Sequence, residues 1–514
     1  MRFRLNLYRS LLITSFLAVN ALLLFGIAST WSFLNTGADK ATILHTTAKI
    51  ESVYQPKVQW TVTGQRGRIM EKQTLEDIEN DYKSAWYVKY NALASNNPFG
   101  LADYYTKDAL IFLNTLLDHN RALKTYFRGT SINHHPELLF YSLDGKVVVF
   151  TDNDVETFEE AYVEDTLVLA KTSTHSYQIT MVLEDGIWRI RQMVQIAADT
   201  TVSKTVSTAD SIFQLPEIQD IKGINYYPQR YPWDMFGSRF NDTIISQDFA
   251  RIREIGFNSV RIFVPYEAFG VASVEEHLLV QLRSVLDKAG AHNLTVLVTL
   301  FDFYGNYDVS DWTLTHRHAE CIVGALKDHP ALLGWDLKNE PDLDFEARGK
   351  EKVCTWLSAL ARQLKSWDPN HPITIGWSTP EAAVTLADKV DFVSFHYYEA
   401  PSLLPERYQK LKETVRPKPV VLEEYGSSSY SGIWNGFTGS EENQAEYVET
   451  IQKVIQAEQL PSYLWTLYDF EAIPNQVAGP LPWRKTKQKY FGLISIDGQS
   501  KAAYSIFRNR KGSR

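Results

Sequence analysis

Two stretches of the sequence each end an apolar strand-like run with a glutamate. Leu332 to Asp342 reads LLGWDLKNEPD, and its Glu340 precedes a proline that stops further strand pairing. Lys418 to Gly426 reads KPVVLEEYG and places Glu424 just before Tyr-Gly. If both stretches belong to one parallel barrel, both carboxylates open onto the same rim. Two carboxylates facing each other across a cleft are suited to cleaving a glycosidic bond, one as acid and one as base or nucleophile.

The elements that must position these glutamates alternate strand and helix from Ile221 onward. Eight such units over nearly 300 residues predict an α/β fold, a (β/α)8 TIM barrel, in residues 221–514. An open doubly wound sheet would need a glycine-rich phosphate turn after its first strand, and Asn225-Tyr226-Tyr227-Pro228 does not provide one. The predicted strands are Gly223 to Tyr226, Ser259 to Val264, Thr295 to Phe301, Leu333 to Leu337, Ile373 to Trp377, Phe392 to His396, Val420 to Glu424 and Tyr463 to Leu467.

Both glutamate motifs resemble the signature strands of a known enzyme clan. GWDLKNEP, from Gly334 to Pro341, and LEEYG, from Leu422 to Gly426, look like the two signature strands of clan A glycoside hydrolases, especially families 5 and 2. The motifs end the fourth and seventh predicted strands, which is the arrangement of that clan. The resemblance covers Ile221 to Phe507. It implies a retaining mechanism with Glu340 as general acid/base and Glu424 as nucleophile.

A retaining mechanism makes demands on the pair that can be checked. It needs carboxyl groups roughly 5–5.5 Å apart, one protonated at rest and one ionised. We therefore expect the charge of Glu424 to raise the pKa of Glu340. Glu423 is the rival nucleophile, but successive strand side chains point to opposite faces, so only one of the two faces the cleft. The order Glu-Tyr-Gly selects Glu424.

The same resemblance implies roles for residues around the pair. Arg261 would hydrogen-bond the nucleophile and keep it ionised, with an ordinary buried ion pair as the alternative. Asn339 would bind the sugar 2-hydroxyl. His396 and Tyr398 match a His-x-Tyr pair whose tyrosine lies near the nucleophile, although His396 could instead be a satisfied core histidine.

Aromatic and acidic residues at other strand ends are candidates for substrate contact. Trp465 would form the floor under a pyranose, unless it only fills the core. Asp302 stands after the third strand, near where many family 5 members carry a histidine, and is expected to contact sugar hydroxyls. Further subsite candidates on the rim are Trp233, Tyr266, Trp312, Trp377, Tyr468 and Trp483.

The first 36 residues have the pattern of a membrane anchor. Arg2, Arg4 and Arg9 precede an uncharged stretch whose apolar part, Leu11 to Leu34, is long enough to span a bilayer. Basic residues ahead of the span orient the remainder outside the cytoplasm, in the periplasm or at the cell surface. A cleaved signal peptide, with Gly26-Ile27-Ala28 as the cleavage region, is the alternative and would make the protein secreted.

Between anchor and barrel, the sequence predicts a tether (37–73), an α+β domain (74–197) and a linker (198–220). The domain reads as helices, the first opened by a capping box at Thr74 to Asp77, followed by an antiparallel meander. Its last predicted strands are Thr166 to Thr172, Tyr177 to Leu183 and Ile187 to Val194, with a hairpin turn at Glu184-Asp185-Gly186. This order resembles the nuclear transport factor two superfamily, whose fold is an α+β cone. We expect a packing module or a docking site for a protein partner. Four residues that could do chemistry are expected in solvated loops: His134, His135, Asp152 and Asp154.

Composition excludes some partners and cofactors. The net charge of -9 gives no basic stripe for nucleic acid. The two cysteines, Cys321 and Cys354, have no metal-site spacing and are expected to be small buried residues. Neither a metal nor an organic cofactor is expected.

Together these features predict an exported retaining β-glycoside hydrolase, similar to an endo-glucanase or a mannanase. Its expected substrate is an extracellular polysaccharide or one that the cell itself secretes. Two alternatives stay open. The same site could act as a transglycosylase, because the covalent intermediate is common to both reactions. The protein could also be a non-catalytic scaffold of a polysaccharide-export complex.

Overall fold

The computed structural model describes residues 13–24, 26, 46–47, 53–196 and 216–508. Residues 13–24 are helical, and the rest of the predicted anchor, from Leu11 to Leu34, lies outside these ranges except for Gly26. Within the described ranges, no helix combines the length and apolar character that a bilayer crossing requires. Most of the predicted tether before residue 53 and most of the predicted linker also lie outside the described residues.

Residues 53–196 form three helices followed by five strands that pair antiparallel, the predicted order, and two short strands before the helices add to the same sheet in parallel with β4. Buried side chains of the first helix, including Ile78, Tyr82 and Trp86, pack against Phe150 and Ile179 of the sheet. Membership of the nuclear transport factor two superfamily stays a prediction. The elements are β1 (Lys57–Val58), β2 (Arg66–Gly67), α1 (Lys72–Ser95), α2 (Leu101–Tyr104), α3 (Lys107–Leu123), β3 (Thr125–Ser131), β4 (Asn133–Tyr141), β5 (Val147–Val163), β6 (Thr166–Glu184) and β7 (Ile187–Ile196).

Local details of this region differ from the predictions. The hairpin between β6 and β7 is confirmed, and both turn residues, Asp185 and Gly186, have positive φ. The capping box predicted at Thr74 is wrong, because α1 already begins at Lys72 and its cap, Glu71, makes no side-chain capping bond. The strands predicted on either side of residue 174 are one 19-residue strand, β6.

The barrel is confirmed as eight parallel strands that close on themselves. They are β8 (Lys222–Asn225), β9 (Ser259–Pro265), β10 (Thr295–Asp302), β11 (Leu332–Asn339), β12 (Ile373–Trp377), β13 (Val393–Tyr397), β14 (Val420–Tyr425) and β15 (Ser462–Leu464). The eighth strand is shorter than predicted, so Trp465 follows the strand.

Helices surround the barrel except in one place. Between β12 and β13 the chain makes two short 3-10 turns, Ala382–Val384 and Ala387–Lys389, where a helix was predicted. Both cysteines are free and half-buried. The helices are α4 (Pro216–Gln219), α5 (Asp242–Glu254), α6 (Glu276–Ala291), α7 (Trp312–Leu326), α8 (Phe345–Arg348), α9 (Lys350–Trp367), α10 (Leu404–Thr414), α11 (Glu441–Glu458), α12 (Asn475–Ala478), α13 (Pro482–Gln488) and α14 (Ala502–Arg508).

The antiparallel sheet packs directly on the side of the barrel. Phe158 of β5 stacks on Trp312 of α7 with ring centroids 4.3 Å apart. Arg128 forms an ion pair with Asp308 at 2.6 Å. Trp312 is therefore buried between the two parts of the chain, and its predicted role as a rim platform for sugar is wrong.

Candidate active site

Glu340 stands immediately after the strand β11. The pairing of β11 with β12 shifts register between Asp336 and Asn339, and the backbone of Glu340 then turns into the left-handed region with φ 46° and ψ 52°. Its N–H donates to the carbonyl of Gly376 at 2.7 Å. A non-glycine residue held in this conformation is strained by roughly 1–3 kcal/mol, a cost that is typical of functional positions.

Glu424 lies near the end of β14, where the strand is irregular on both sides. The register shifts against β13 between Phe395 and His396, so that Leu422 faces Phe395 while Glu424 already faces His396. It shifts against β15 over the same residues. Glu423 is therefore the extra residue of a β-bulge, and the simple alternation of side chains does not hold here.

The two predicted catalytic carboxylates face each other. One oxygen of Glu340 and one of Glu424 lie within 4.8 Å of each other. His396 lies between them, with Nδ1 at 2.8 Å from Glu340 Oε1 and 3.5 Å from Glu424 Oε2. The Glu340 side chain is 26% exposed and that of Glu424 7% exposed, so Glu340 is the more open to solvent.

Arg261 holds the nucleophile candidate from inside the barrel. This fully buried residue of β9 donates from Nη1 to Glu424 Oε1 at 2.6 Å and from Nη2 to Asn339 Oδ1 at 2.9 Å. The pair of contacts to Asp336 Oδ2, from Nη2 at 2.6 Å and Nε at 3.2 Å, orients the guanidinium. Asp336 also accepts from Thr299. The positive charge of Arg261 thus lies directly against the carboxylate of Glu424.

Tyr398 completes the hydrogen bonds to Glu424 from the rim. Its hydroxyl donates to Glu424 Oε2 at 2.7 Å, while its ring is 40% exposed. Trp465 packs edge-on to Tyr227, with ring centroids 6.2 Å apart. Asp302 is buried and accepts from the Tyr227 hydroxyl at 2.9 Å. Asp302 therefore supports the wall of the site through Tyr227, and the predicted direct contact with sugar is replaced by this bond.

The charges of this cluster set where its protons reside. Burial alone would lower the pKa of His396, but the charge of Glu424, the hydrogen bond to Glu340 and the nearby Glu423 raise it to about 10. Burial acts to raise the pKa of Glu340, but the hydrogen bond from His396 and the charges of His396 and Arg261 hold it below its ordinary value. The prediction of a raised pKa for Glu340 is therefore wrong, because the hydrogen bond and positive charge of His396 outweigh the effect of burial.

Glu423 is buried behind the pair. Its carboxylate lies 3.6 Å from both Arg261 Nη2 and His396 Nε2, and burial raises its pKa. Gly376 of β12 leaves room for this cluster, because a Cβ there would clash with Glu423 and lie 2.9 Å from Arg261 Nη2. The alternation argument that placed Glu423 on the far side of the sheet from Glu424 fails because of the bulge.

Sequence reasoning missed three residues that orient Arg261 or leave it space: Asp336, Asn225 and Gly376. The side-chain oxygen of Asn225 accepts from Arg261 Nη1 at 3.1 Å. An aspartate within the apolar run LLGWDL was the available signal for a buried ion pair, because an unpaired buried charge is very costly. Asn225 and Gly376 carry no comparable signal.

The atoms of Glu340, His396 and Glu424 are close enough to share a cation. The same three groups, however, already make hydrogen bonds within the cluster. His396 Nδ1 contacts Glu340, and Glu424 accepts from Arg261 and Tyr398. The arrangement is better suited to moving a proton between His396 and Glu340 beside an ionised Glu424.

Comparison with known proteins identifies the barrel. Residues 223–471 match the family Cellulase, described as glycosyl hydrolase family 5. This match covers most of the barrel and just under half of the chain, so the barrel is similar to glycosyl hydrolase family 5 enzymes. Among curated proteins, this chain is 24% identical over 297 residues to the β-glucuronidase of Chlorocebus aethiops, covering 54% of this chain and 42% of the relative.

Two further relatives carry mannan-related names. A putative mannan endo-1,4-β-mannosidase 4 of Arabidopsis thaliana is 28% identical over 171 residues, covering 25% of this chain and 42% of the relative. The chain thus spans less than half the length of these curated relatives. A solved exo-β-1,4-mannosidase from Opitutaceae bacterium strain TAV5 aligns with TM-score 0.47 and 20% identity over 57% of this chain and 59% of that chain.

Proposed function

We propose that this protein is a retaining β-glycosidase that cleaves a polysaccharide or oligosaccharide by double displacement. The observation that carries the proposal is the Glu340–Glu424 pair, whose nearest carboxylate oxygens lie within 4.8 Å on one rim of a barrel similar to those of family 5 enzymes. This spacing supports the retaining arrangement, in which one carboxylate attacks the sugar directly, over the wider spacing that an inverting water needs.

In the first step Glu424 attacks the anomeric carbon. Arg261 and Tyr398 each donate to one oxygen of its carboxylate, which holds the ionised nucleophile in position. As the bond to the sugar forms, Glu424 loses the negative charge that retains the proton on His396. That proton passes over 2.8 Å from His396 Nδ1 to Glu340, which protonates the leaving oxygen.

The second step reverses these transfers. Glu340, now a carboxylate, takes a proton from water, and the resulting hydroxide attacks the anomeric carbon. The bond to Glu424 breaks, and the nucleophile recovers its charge. The proton returns to His396, because the charge of Glu424 again favours the imidazolium form. The site therefore has the same net charge after a turnover as before it.

The substrate is proposed from the relatives and from the amino-terminal pattern. The names of the relatives support β-glucosides, β-mannosides and β-glucuronides as the classes to test. The basic residues and apolar run of the first 36 residues support an export signal or anchor, which would place the barrel outside the cytoplasm. A tethered enzyme acts on polymer at its own cell surface, so we propose that the protein trims a polysaccharide that its own cell secretes.

A substrate panel tests the activity. Purified protein is assayed with nitrophenyl β-glucoside, β-mannoside and β-glucuronide, their α-anomers, and dyed β-glucan and β-mannan. We expect turnover of at least one β-linked substrate, none of the α-anomers, and loss of turnover in Glu424→Gln. Failure on every β-substrate, or equal rates for Glu424→Gln and wild type, would contradict the proposal. Added acceptor sugars would show whether transfer to sugar competes with transfer to water.

A further inference from the structure

Two loops of the barrel rim form a surface that combines exposed aromatic rings with positive charge. One follows β14 and the other follows β15. Trp434 and Trp483 lie with ring centroids 5.7 Å apart, and each is nearly half exposed. Phe437, three residues after Trp434, is 71% exposed. Exposed rings grouped in this way mark a binding surface more often than a structural one. We call Trp434, Trp483, Arg484 and Lys487 the aromatic-basic surface.

The charge of this surface is positive, whereas the net charge of the whole chain is negative. The chain carries 61 acidic residues and a net charge of -9, yet residues 425–440 and 472–496 contain no aspartate or glutamate. Residues 479–490 instead read GPLPWRKTKQKY, with four cations. Trp483 and Lys487 are four residues apart in α13 and share one face of it. Among the described residues, no ion pair within 4 Å neutralises Arg484 or Lys487.

The surface is continuous with the active site through a chain of contacts. The Ser428 hydroxyl donates to the carbonyl of Lys487 at 2.7 Å, which ties α13 to the loop after β14. The Tyr430 and Tyr490 rings lie 5.5 Å apart. The next residue, Phe491, packs edge-on against Tyr398, which hydrogen-bonds Glu424. A polymer leaving the site past Tyr398 would therefore follow these loops.

We propose that the aromatic-basic surface binds an anionic glycan chain, so that the polymer cleaved by this protein carries acidic groups such as carboxylates. The apolar faces of the sugar rings would stack on Trp434 and Trp483. Their acidic substituents would meet Arg484 and Lys487. A neutral glycan would use the rings but gain nothing from the charges of Arg484 and Lys487. This inference rests on the proposed glycosidase function for the position of the active site.

The test measures binding with catalysis removed. In the Glu424→Gln background, affinity is compared for carboxymethyl-cellulose and hydroxyethyl-cellulose, which share a backbone and differ in charge. We expect at least tenfold tighter binding of the carboxymethyl polymer at low salt, and loss of most of this preference in 0.5 M NaCl. Arg484→Glu/Lys487→Glu should abolish the preference. The matched control Lys107→Glu/Lys171→Glu changes net charge equally at exposed sites outside the barrel and should keep it.

Different results would separate failure of this inference from failure of the proposed function. Equal affinity for the two polymers, or equal loss of the preference in both double variants, overturns the anionic-glycan assignment. With Glu424 restored, the Arg484→Glu/Lys487→Glu variant should hydrolyse a small nitrophenyl glycoside at the wild-type rate, because that substrate does not reach the surface. If wild type hydrolyses no glycoside but the binding preference holds, the surface assignment survives and the glycosidase proposal fails.

Discussion

Two of the histidine–carboxylate clusters among the described residues, one in the antiparallel sheet and one in the barrel, are made of similar groups but differ in access. In the antiparallel sheet, His134 Nδ1 lies 2.6 Å from Asp152, which also accepts from the Tyr82 hydroxyl at 2.7 Å. His134 Nε2 lies 2.9 Å from the Ser131 hydroxyl. His134 and Asp152 had been expected in solvated loops, but both residues, like Ser131, are at most 1% exposed. Ser131, His134 and Asp152 are hydrogen-bonded in the order of a nucleophile, a base and an acid. All three are nevertheless buried away from solvent.

The barrel cluster differs because it leaves carboxylate oxygens facing an open rim. Glu340 keeps about a quarter of its side chain exposed, and Tyr398 beside it is 40% exposed. The comparison teaches that a hydrogen-bonded histidine and acid become a site only where a reacting group can enter. Without such an opening, the same bonds serve to satisfy buried polar groups.

The largest expected difference between the clusters is in catalysis. Glu424→Gln removes the nucleophile and should lower kcat/KM by at least about 10⁴-fold. Glu423→Gln should cost far less, because Glu423 touches only Arg261 and His396. Steady-state kinetics on the best β-glycoside found would measure both. A larger loss for Glu423→Gln than for Glu424→Gln would reverse the assignment of the two neighbours.

The pH dependence of stability should also separate the clusters. The folded pKa of His396 is raised from 6.5 to about 10, so its stabilising effect is fully present below pH 6.5 and is lost as pH rises toward 10. The difference in unfolding free energy between wild type and His396→Gln should therefore shrink by about 4 kcal/mol between pH 6 and pH 10. Urea denaturation across this range measures it. A difference that stays constant with pH would show that His396 is not held protonated.

A single added methyl group should disturb the barrel cluster even though no charged residue is replaced. Gly376→Ala would push Glu423 and Arg261 away from their positions. Because small displacements of catalytic groups are costly, we expect kcat/KM to fall about 100-fold. Gly324→Ala in α7 is the matched control, since a Cβ there meets nothing within 4 Å. Wild-type kinetics in Gly376→Ala would show that the packing around Arg261 does not position the nucleophile.

The sealed cluster should show the opposite pattern, with an effect on stability alone. Asp152→Asn leaves buried donors of Tyr82 or His134 poorly matched and should cost about 2 kcal/mol of unfolding free energy. Activity per folded molecule should stay within twofold of wild type. Asp154→Asn, at an exposed neighbouring position, should cost less than about 0.5 kcal/mol. A loss of activity in fully folded Asp152→Asn would mean that the amino-terminal cluster takes part in the reaction.

The sequence allowed the barrel and its acidic pair to be predicted because the signals are local. Glu340 and Glu424 each follow an apolar run in a recognisable motif, and the strand–helix alternation places them on one rim. Glu423 was misplaced because its bulge depends on how β14 pairs with β13 and β15. Such register shifts are set by neighbouring strands and have no local signal.

Burial between distant parts of the chain was equally hard to predict. Trp312 looked like a rim residue, but Phe158, more than 150 residues earlier, covers it. His134 and Asp152 looked like loop residues because β4 and β5 extend beyond their apolar cores. The resting proton was also misplaced, since the sequence could not show that His396 lies between the two carboxylates.

Azide rescue of the two carboxylate variants tests the central claim most directly. In Glu424→Ala, azide can enter the space of the missing nucleophile and attack a β-glycoside with an activated leaving group, which gives an α-glycosyl azide. In Glu340→Ala, Glu424 still forms the covalent intermediate, and azide intercepts it to give the β-glycosyl azide. The account predicts these two opposite anomers by NMR. The same anomer from both variants, or a β-azide from Glu424→Ala, would contradict the assignment of Glu424 as nucleophile and Glu340 as acid/base.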